Sequence, residues 1–106
     1  LEGLTLVDIG CGGGVLSEPL ARLGAQVTGL DPAPTNVAVA RSHTEAAGLS
    51  VDYRQETIEA LVAEGARYDI VLAMEVVEHV ADVEAFVGAC CAAVKPGGML
   101  VMATLN

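Results

Sequence analysis

The chain has 106 residues, a hydrophobic fraction of 53% and a net charge of −9 with only five basic residues. That length suits one domain with one core. The shortage of Lys and Arg argues against non-specific nucleic-acid binding, which needs cations facing phosphates. No window offers about 18 apolar residues free of charge, so a membrane-spanning helix is not expected, and nothing resembles a signal peptide. The chain starts at Leu1 without an initiator Met and stops at Asn106 just after an apolar run. Residues 1–106 are therefore expected to be one domain cut from a longer protein. Cys11, Cys90 and Cys91 are odd in number, and the adjacent pair cannot easily bridge. With no C-x-x-C spacing, neither a disulfide framework nor a cysteine zinc site is expected, and the usage fits a reducing compartment.

In chain order, residues 4–9 read as an apolar first strand that runs into a glycine turn at 10–14. Val15, Leu16, Leu20 and Leu23 then mark the apolar side of a helix. Residues 27–30 read as a second strand ending at Asp31-Pro32. A helix follows over 34–47, with Pro34 tolerated in its first turn and Gly48 just past its end. Residues 51–54 alternate and suit a short third strand near the sheet edge, and 57–64 a short helix stopped by Gly65. The nearly all-apolar run 68–73 is a fourth strand, expected to be central. Asp82 is a good N-cap for a helix carrying Phe86, Val87, Cys90 and Val94 at helical spacing. Lys95 closes that helix, Pro96 stops it, Gly97-Gly98 turns the chain, and 99–105 is a fifth, buried strand.

Strands alternating with helices predict an α/β fold: a Rossmann-like, doubly wound parallel sheet with helices on both faces. In such sheets ligands bind beyond the carboxyl ends of the strands. That rule selects the 10–14 loop, Asp31, residues 55–58 and residues 74–79, which should converge on one rim.

Each rim segment has a functional and a plainer reading. The glycines follow the pattern Asp8-x-Gly10-x-Gly12-x-Gly14, with Val15 where a dinucleotide fingerprint would place its last glycine. The backbone there can turn sharply and offer N–H groups to a ligand, or it is simply a tight strand-to-helix turn. Asp31 stands where a carboxylate can accept hydrogen bonds from both hydroxyls of a ribose, in NAD or in any adenosine-containing cofactor. Alternatively it caps the next helix. Gln55, Glu56, Thr57 and Ile58 can frame an adenine, with Ile58 over a ring face, or form a capping box. Glu75, Glu78 and His79, at i, i+3, i+4, can share a helix face and hold a divalent ion or move protons, or they mark a solvated helix start.

Taken together these residues resemble a class I S-adenosylmethionine-dependent methyltransferase, through Asp8 to Gly14, Asp31 and the Lys95-Pro96-Gly97-Gly98 turn. The chain is similar in particular to the ubiquinone-biosynthesis O-methyltransferases. The likeness lies in Leu16 to Ala25, in Tyr53 with Gln55-Glu56-Thr57, in Met74-Glu75-Val76-Val77-Glu78-His79-Val80 and in Ala103-Thr104-Leu105-Asn106. The resemblance covers essentially the whole chain and implies a partial class I methyltransferase fold, its first five strands. It implies a cofactor site at Asp8, Gly10, Cys11, Gly12, Gly14, Asp31, Pro32, Thr57, Ile58 and Met74, with Gly10 at the methionyl end, Asp31 on the ribose and the Met74 backbone on the methionine moiety. It implies a divalent metal, magnesium in the family, at Glu75, Glu78 and His79, although an imidazole suits zinc or another transition metal better. His79 is also the implied catalytic base.

The implied reaction is methylation of a phenolic hydroxyl on a polyprenylated catechol or hydroquinone. The enzyme would associate peripherally with a membrane and with other ubiquinone-biosynthesis proteins, in a bacterial cytoplasm or on the mitochondrial matrix side. Family members carry a further N-terminal helical segment and a C-terminal part, so activity of this segment alone is not expected. Three other readings stand beside this one: a methyltransferase for another small acceptor, an NAD-dependent dehydrogenase, and a non-catalytic cofactor-binding domain.

Overall fold

The computed structural model describes residues 1–12, 14–74 and 82–103, and among these residues nine elements alternate. They are β1 (Thr5–Ile9), α1 (Ser17–Arg22), β2 (Gln26–Leu30), α2 (Pro34–Ala46), β3 (Asp52–Arg54), α3 (Ile58–Ala63), β4 (Tyr68–Met74), α4 (Val83–Ala93) and β5 (Val94–Ala103). The strands form one sheet in the order β3-β2-β1-β4-β5, and every pairing is parallel.

Strand alternation sends neighbouring side chains of β1 to opposite faces. Val7 and Ile9 join Leu30, Val71 and Ala73 under Ile58 and Leu61 of α3 and Phe86, Cys90 and Ala93 of α4. Leu6 joins Val27 and Leu72 on the other face, against Leu20 and Ala21 of α1. Farther along that face, Val37 and Ala40 of α2 pack on Tyr53 and Cys11. Both faces of β1 are covered, which is why four of its five residues are buried. The expected Rossmann-like, doubly wound parallel fold is the observed one.

The helix starts are held as their sequences suggest. Thr57 Oγ1 accepts from the Ala60 N–H at 3.1 Å and Asp82 Oδ1 from the Ala85 N–H at 3.0 Å. At Thr57 this is the first half of a capping box only, because the residue three positions on is Ala60 and cannot return the bond.

Four local expectations are corrected. First, Val15, Leu16 and Leu23 do not form an apolar helix side facing the core. Val15 is 86% and Leu23 60% exposed, because the glycine turn runs on through Leu16 and α1 is only six residues long. Second, β4 is an interior strand, paired with β1 and β5, but not the middle one. Its apolar run reflects cover on both faces, whereas the middle place belongs to β1. Third, residues 95–98 do not lie between α4 and β5 but inside the pairing of β5. Tyr68 pairs with Val94 and Ile70 with Met99, so Lys95, Pro96, Gly97 and Gly98 bulge out of the ladder. Accordingly Ala93, not Val94, completes the buried side of α4. Fourth, β5 is not buried. It lies at the sheet edge, none of its residues is fully enclosed, and Met99 is 58% exposed. Thr104 and Leu105 lie outside the described residues.

At the opposite end of the sheet from the rim loops, Asp69 ties β4 to the start of β1. Its Oδ2 accepts from the Thr5 N–H at 2.8 Å and from Thr5 Oγ1 at 3.0 Å, and Lys95 Nζ lies at 3.5 Å. The bond from the Thr5 backbone, then its hydroxyl, holds the Asp69 carboxyl below its ordinary value. A carboxyl depressed in the folded state adds stability above its unfolded value, about 3.9, and loses it as pH falls through the lower folded value. Asp69→Asn is therefore expected to weaken the fold at pH 6–7 and to flatten the acid limb of stability below about pH 4. Urea midpoints measured across that range check this; parallel curves for the two proteins would contradict it.

Candidate functional site

β1 ends at Ile9, and the chain then turns across the end of β2. The N–H groups of Gly10 and Cys11 both donate to Leu30 O, at 2.7 and 2.8 Å, which straps the glycine turn onto the neighbouring strand. Gly10, Gly12 and Gly14 all have positive φ, so the alternate-glycine spacing in the sequence matches the backbone it must serve. Gly12, at φ +57°, has open space where a Cβ would sit, so only its backbone conformation demands glycine. Gly14 is constrained twice: its φ is +87°, and a Cβ would come within 2.6 Å of Tyr53 Oη. Gly13 lies outside the described residues.

Asp31 leaves the end of β2 and is nearly buried, 7% exposed. Its Oδ2 accepts from the Gly12 N–H at 2.9 Å, and its Oδ1 from the Ala33 N–H at 2.9 Å and the Asn36 amide at 3.3 Å. The N-cap residue of α2 is Ala33. Asp31 thus secures the approach to that helix and also grips the glycine turn 19 residues earlier. Three donors leave a carboxylate with acceptor capacity to spare.

Asp8 and Cys11 stand behind the turn. Asp8 Oδ2 accepts from Ser17 Oγ at 2.7 Å, with both residues buried. Burial pushes the Asp8 carboxyl above its ordinary value, and the Ser17 bond offsets part of that rise. Burial also drives the Cys11 thiol up to about 12, helped by the negative charges of Asp8 and Asp31. A thiol so held is protonated at neutral pH and is no nucleophile.

In front of the turn lies a cleft of about 370 Å³. Ile9, Leu30, Pro32, Ile58 and Phe86 supply apolar wall, while Gly10, Glu56, Thr57, Glu59 and Asp82 supply polar groups. The ends of β1, β2 and β3 therefore open onto one space, and Gln55 Nε2 donates to Pro32 O at 3.2 Å to join two of their loops. Glu56 Oε2 is buried with no hydrogen-bond partner among the described residues.

Of the residues singled out in the sequence, Gly10, Pro32, Thr57 and Ile58 line this cleft. Gly12 and Asp31 are bonded to each other at its side, and Asp8, Cys11 and Gly14 support the turn from behind. Met74 ends β4, 36% exposed, and is not part of the cleft lining. Glu75, Glu78 and His79 lie outside the described residues. Among the described residues no three His, Cys, Asp or Glu side chains are grouped to hold a metal. Sequence reasoning missed Ile9 and Leu30, which the rule of strand ends could have supplied, since each is the last residue of its strand. It also missed Glu59, Asp82 and Phe86. The last two reach the cleft only because α4 packs beside α3.

A parallel sheet with a glycine turn at its first strand end, a buried carboxylate at its second and an apolar cleft between them defines a Rossmann-like cofactor-binding domain. Residues 7–102 match the family described as "Methyltransferase domain", and the chain belongs to that family. It is 71% identical over its whole length to the ubiquinone biosynthesis O-methyltransferase of Methylobacterium sp. (strain 4-46), of which it covers 43%. The chain spans about two-fifths of the length of the curated relatives it matches. Among solved structures it is similar to magnesium protoporphyrin IX methyltransferase (ChlM) from Synechocystis PCC 6803 with bound SAM. That match has 28% identity and a TM-score of 0.80, over 89% of this chain and 46% of the other. It is also similar to the [4+2]-cyclase SpnF, at 29% identity and a TM-score of 0.85, over 93% of this chain and 38% of that one.

Asp8→Asn tests the cost of the buried acid. A carboxyl raised on folding penalises the charged state, so stability falls as pH rises from the unfolded value through the folded one. The amide keeps an acceptor for Ser17 and removes the charge. The variant is expected to lose that pH dependence and to melt higher than the parent protein at pH 7; thermal melts at pH 4 and pH 7 decide it.

Proposed function

We propose that the intact protein is an S-adenosylmethionine-dependent O-methyltransferase that methylates a phenolic hydroxyl of a polyprenylated catechol or hydroquinone in ubiquinone biosynthesis. The observation that carries this reading is the joining of the glycine turn to Asp31 at the edge of an apolar cleft, in a chain 71% identical to a relative of that name.

The residues present fit such a cofactor. Asp31 has spare acceptor capacity for ribose hydroxyls, and Pro32, Thr57 and Ile58 bound a slot suited to a flat base. Gly10, Cys11, Gly12 and Gly14 form the turn whose backbone would meet the methionyl end, with the Met74 backbone at the end of β4. Asp8 would act through Ser17, which it holds at the start of α1. Bound there, the cofactor supplies an activated methyl group. The chain's part is to hold that group in line with the acceptor oxygen and to keep water away; alignment alone can provide a large share of the rate. A phenol with a pKa of about 10 attacks poorly at neutral pH. His79 is the proposed base that takes its proton.

A divalent ion at Glu75, Glu78 and His79, magnesium or another, is supported by their residue types and spacing, and no step above depends on it. A polyprenyl acceptor implies work at a membrane surface. No helix among the described residues is long and apolar enough to cross one, and peripheral attachment is proposed. Association with other ubiquinone-biosynthesis proteins belongs to the same proposal. The proposed compartment is the bacterial cytoplasm, since the relative reported above is bacterial, or the matrix side for a mitochondrial source.

Calorimetric titration of S-adenosylmethionine and S-adenosylhomocysteine into the intact protein is expected to show binding, reduced roughly ten- to hundredfold in Asp31→Ala by loss of a charged acceptor. Absence of binding, or binding of NAD in the same series, would end the proposal. His79→Ala is expected to lower turnover with a phenolic acceptor well beyond any change in cofactor affinity. Unchanged turnover would remove His79 from the mechanism.

A further inference from the structure

The ring of Tyr53 lies beneath the glycine turn, and its hydroxyl ends directly under Gly14. A Cβ built on Gly14 would come within 2.6 Å of Tyr53 Oη, so the hydroxyl fills the place where a side chain there would begin. Tyr53 is 2% exposed and packs with Cys11 of the turn and with Val37 and Ala40 of α2. The ring alone would give the turn a floor; the hydroxyl adds a direction. Thr44 Oγ1 donates its single proton to Glu18 Oε1 at 3.2 Å, so across the 2.9 Å between Thr44 Oγ1 and Tyr53 Oη the tyrosine is the donor. Burial raises the Tyr53 hydroxyl above its ordinary value, which keeps that proton in place. Glu18 in turn donates its backbone N–H to Gly14 O at 3.1 Å, and the Gly14 N–H donates to Cys11 O at 3.0 Å. The run from Tyr53 through Thr44 and Glu18 to Gly14 therefore closes on itself. The hydroxyl pressed against Gly14 is tied, by way of α2 and α1, to the carbonyl of that same residue.

The two halves of the turn are held differently. In the front half, the Gly10 and Cys11 N–H groups are strapped to Leu30 O and the Gly12 N–H to Asp31, and none of these bonds involves Tyr53. The back half, Gly14 and the entry to α1, is held by the closed run of bonds and by the bond between Asp8 and Ser17. Resting on the reading given above, in which the turn meets the methionyl end of the cofactor, we propose that Tyr53 is a positioning residue for that end: its hydroxyl, acting through Thr44 and Glu18, sets the backbone at Gly14 before the ligand arrives. A turn set in advance does not have to be ordered at the expense of binding, so the hydroxyl contributes to affinity without touching the ligand. The contribution is confined to ligands that reach the turn. A ligand held by its nucleoside alone, at Asp31 on the same reading, does not draw on it.

The test crosses ligand and side chain in the intact protein. S-adenosylhomocysteine is titrated calorimetrically beside methylthioadenosine, which keeps the nucleoside and the sulfur but lacks the amino-acid end. The proteins are the parent, Tyr53→Phe, Thr44→Val, the double variant and Thr44→Ser. Tyr53→Phe and Thr44→Val are each expected to weaken S-adenosylhomocysteine about five- to tenfold, as the loss of one hydrogen bond would, and to change methylthioadenosine by less than about twofold. The double variant should bind no more weakly than either single one, because both cut the same run. Thr44→Ser, which keeps the hydroxyl, should bind as the parent does. A melt of each variant checks folding, and the two Thr44 variants carry the comparison if Tyr53→Phe does not fold. Equal losses for the two ligands, additive losses in the double variant, or no loss at all would overturn the role of Tyr53 while leaving the cofactor site standing. If methylthioadenosine does not bind the parent, the additivity of the S-adenosylhomocysteine losses decides. Binding of neither ligand to the parent would instead overturn the function proposed for the cleft.

Discussion

Everything at the rim depends on the Asp31 carboxylate. It holds the Gly12 N–H with one oxygen and the Ala33 N–H with the other, so two loops from different strands share one anchor. Bonds to an ionised acceptor are among the stronger hydrogen bonds a protein makes. The parallel ladder sets the distance over which that anchor works. Ile9 pairs with Leu30, so the first residues past β1 and β2 leave the sheet side by side. The straps from Gly10 and Cys11 to Leu30 O then leave Gly12 within reach of Asp31.

Behind the turn, polar groups are enclosed where apolar ones would be cheaper. Asp8 holds Ser17, and Thr44 donates to Glu18 while its Oγ1 and Tyr53 Oη lie 2.9 Å apart. The Tyr53 ring occupies space that two glycines leave open: a Cβ at Gly29 would meet it at 2.6 Å, as one at Gly14 would meet its hydroxyl. Arg41 covers the Tyr53 carbonyl at 2.8 Å on the short strand at the other sheet edge. This arrangement fixes the first turn of α1 and the last turns of α2 behind the glycine loop. It spends stability, most clearly at the desolvated Asp8, on a rigid support.

The same scaffold serves unlike chemistry. A methyltransferase and a [4+2]-cyclase both superimpose on this chain. The sheet and its glycine turn therefore define where a ligand sits, and the reaction is decided by the groups added around them. In this chain the described groups around them are the cleft walls after β3 and at α4.

Element types and a cleft at the ends of the first three strands were legible in the sequence because both follow from local properties. Glycines at alternate positions reported positive φ, Asp31 followed an apolar run directly, and Thr57 and Asp82 stood where helices need acceptors. What the sequence could not express depends on segments far apart in the chain. The length of the glycine turn, which left Val15 in water, follows from its straps to β2. An apolar run reports cover on two faces but not rank in the sheet, so it marks β4 as interior without showing that β1 is the middle strand. The exposure of β5 follows from its place at the edge, and the bulge at Lys95 to Gly98 from its pairing with β4. Side-chain direction was decided the same way. Asp8 and Asp31 are both acids beside the glycine turn, but β1 turns one inward to Ser17, and the end of β2 sets the other against Gly12. Periodicity records each residue's own surroundings; only pairing and packing between distant segments determine which carboxylate supports the site and which one borders it.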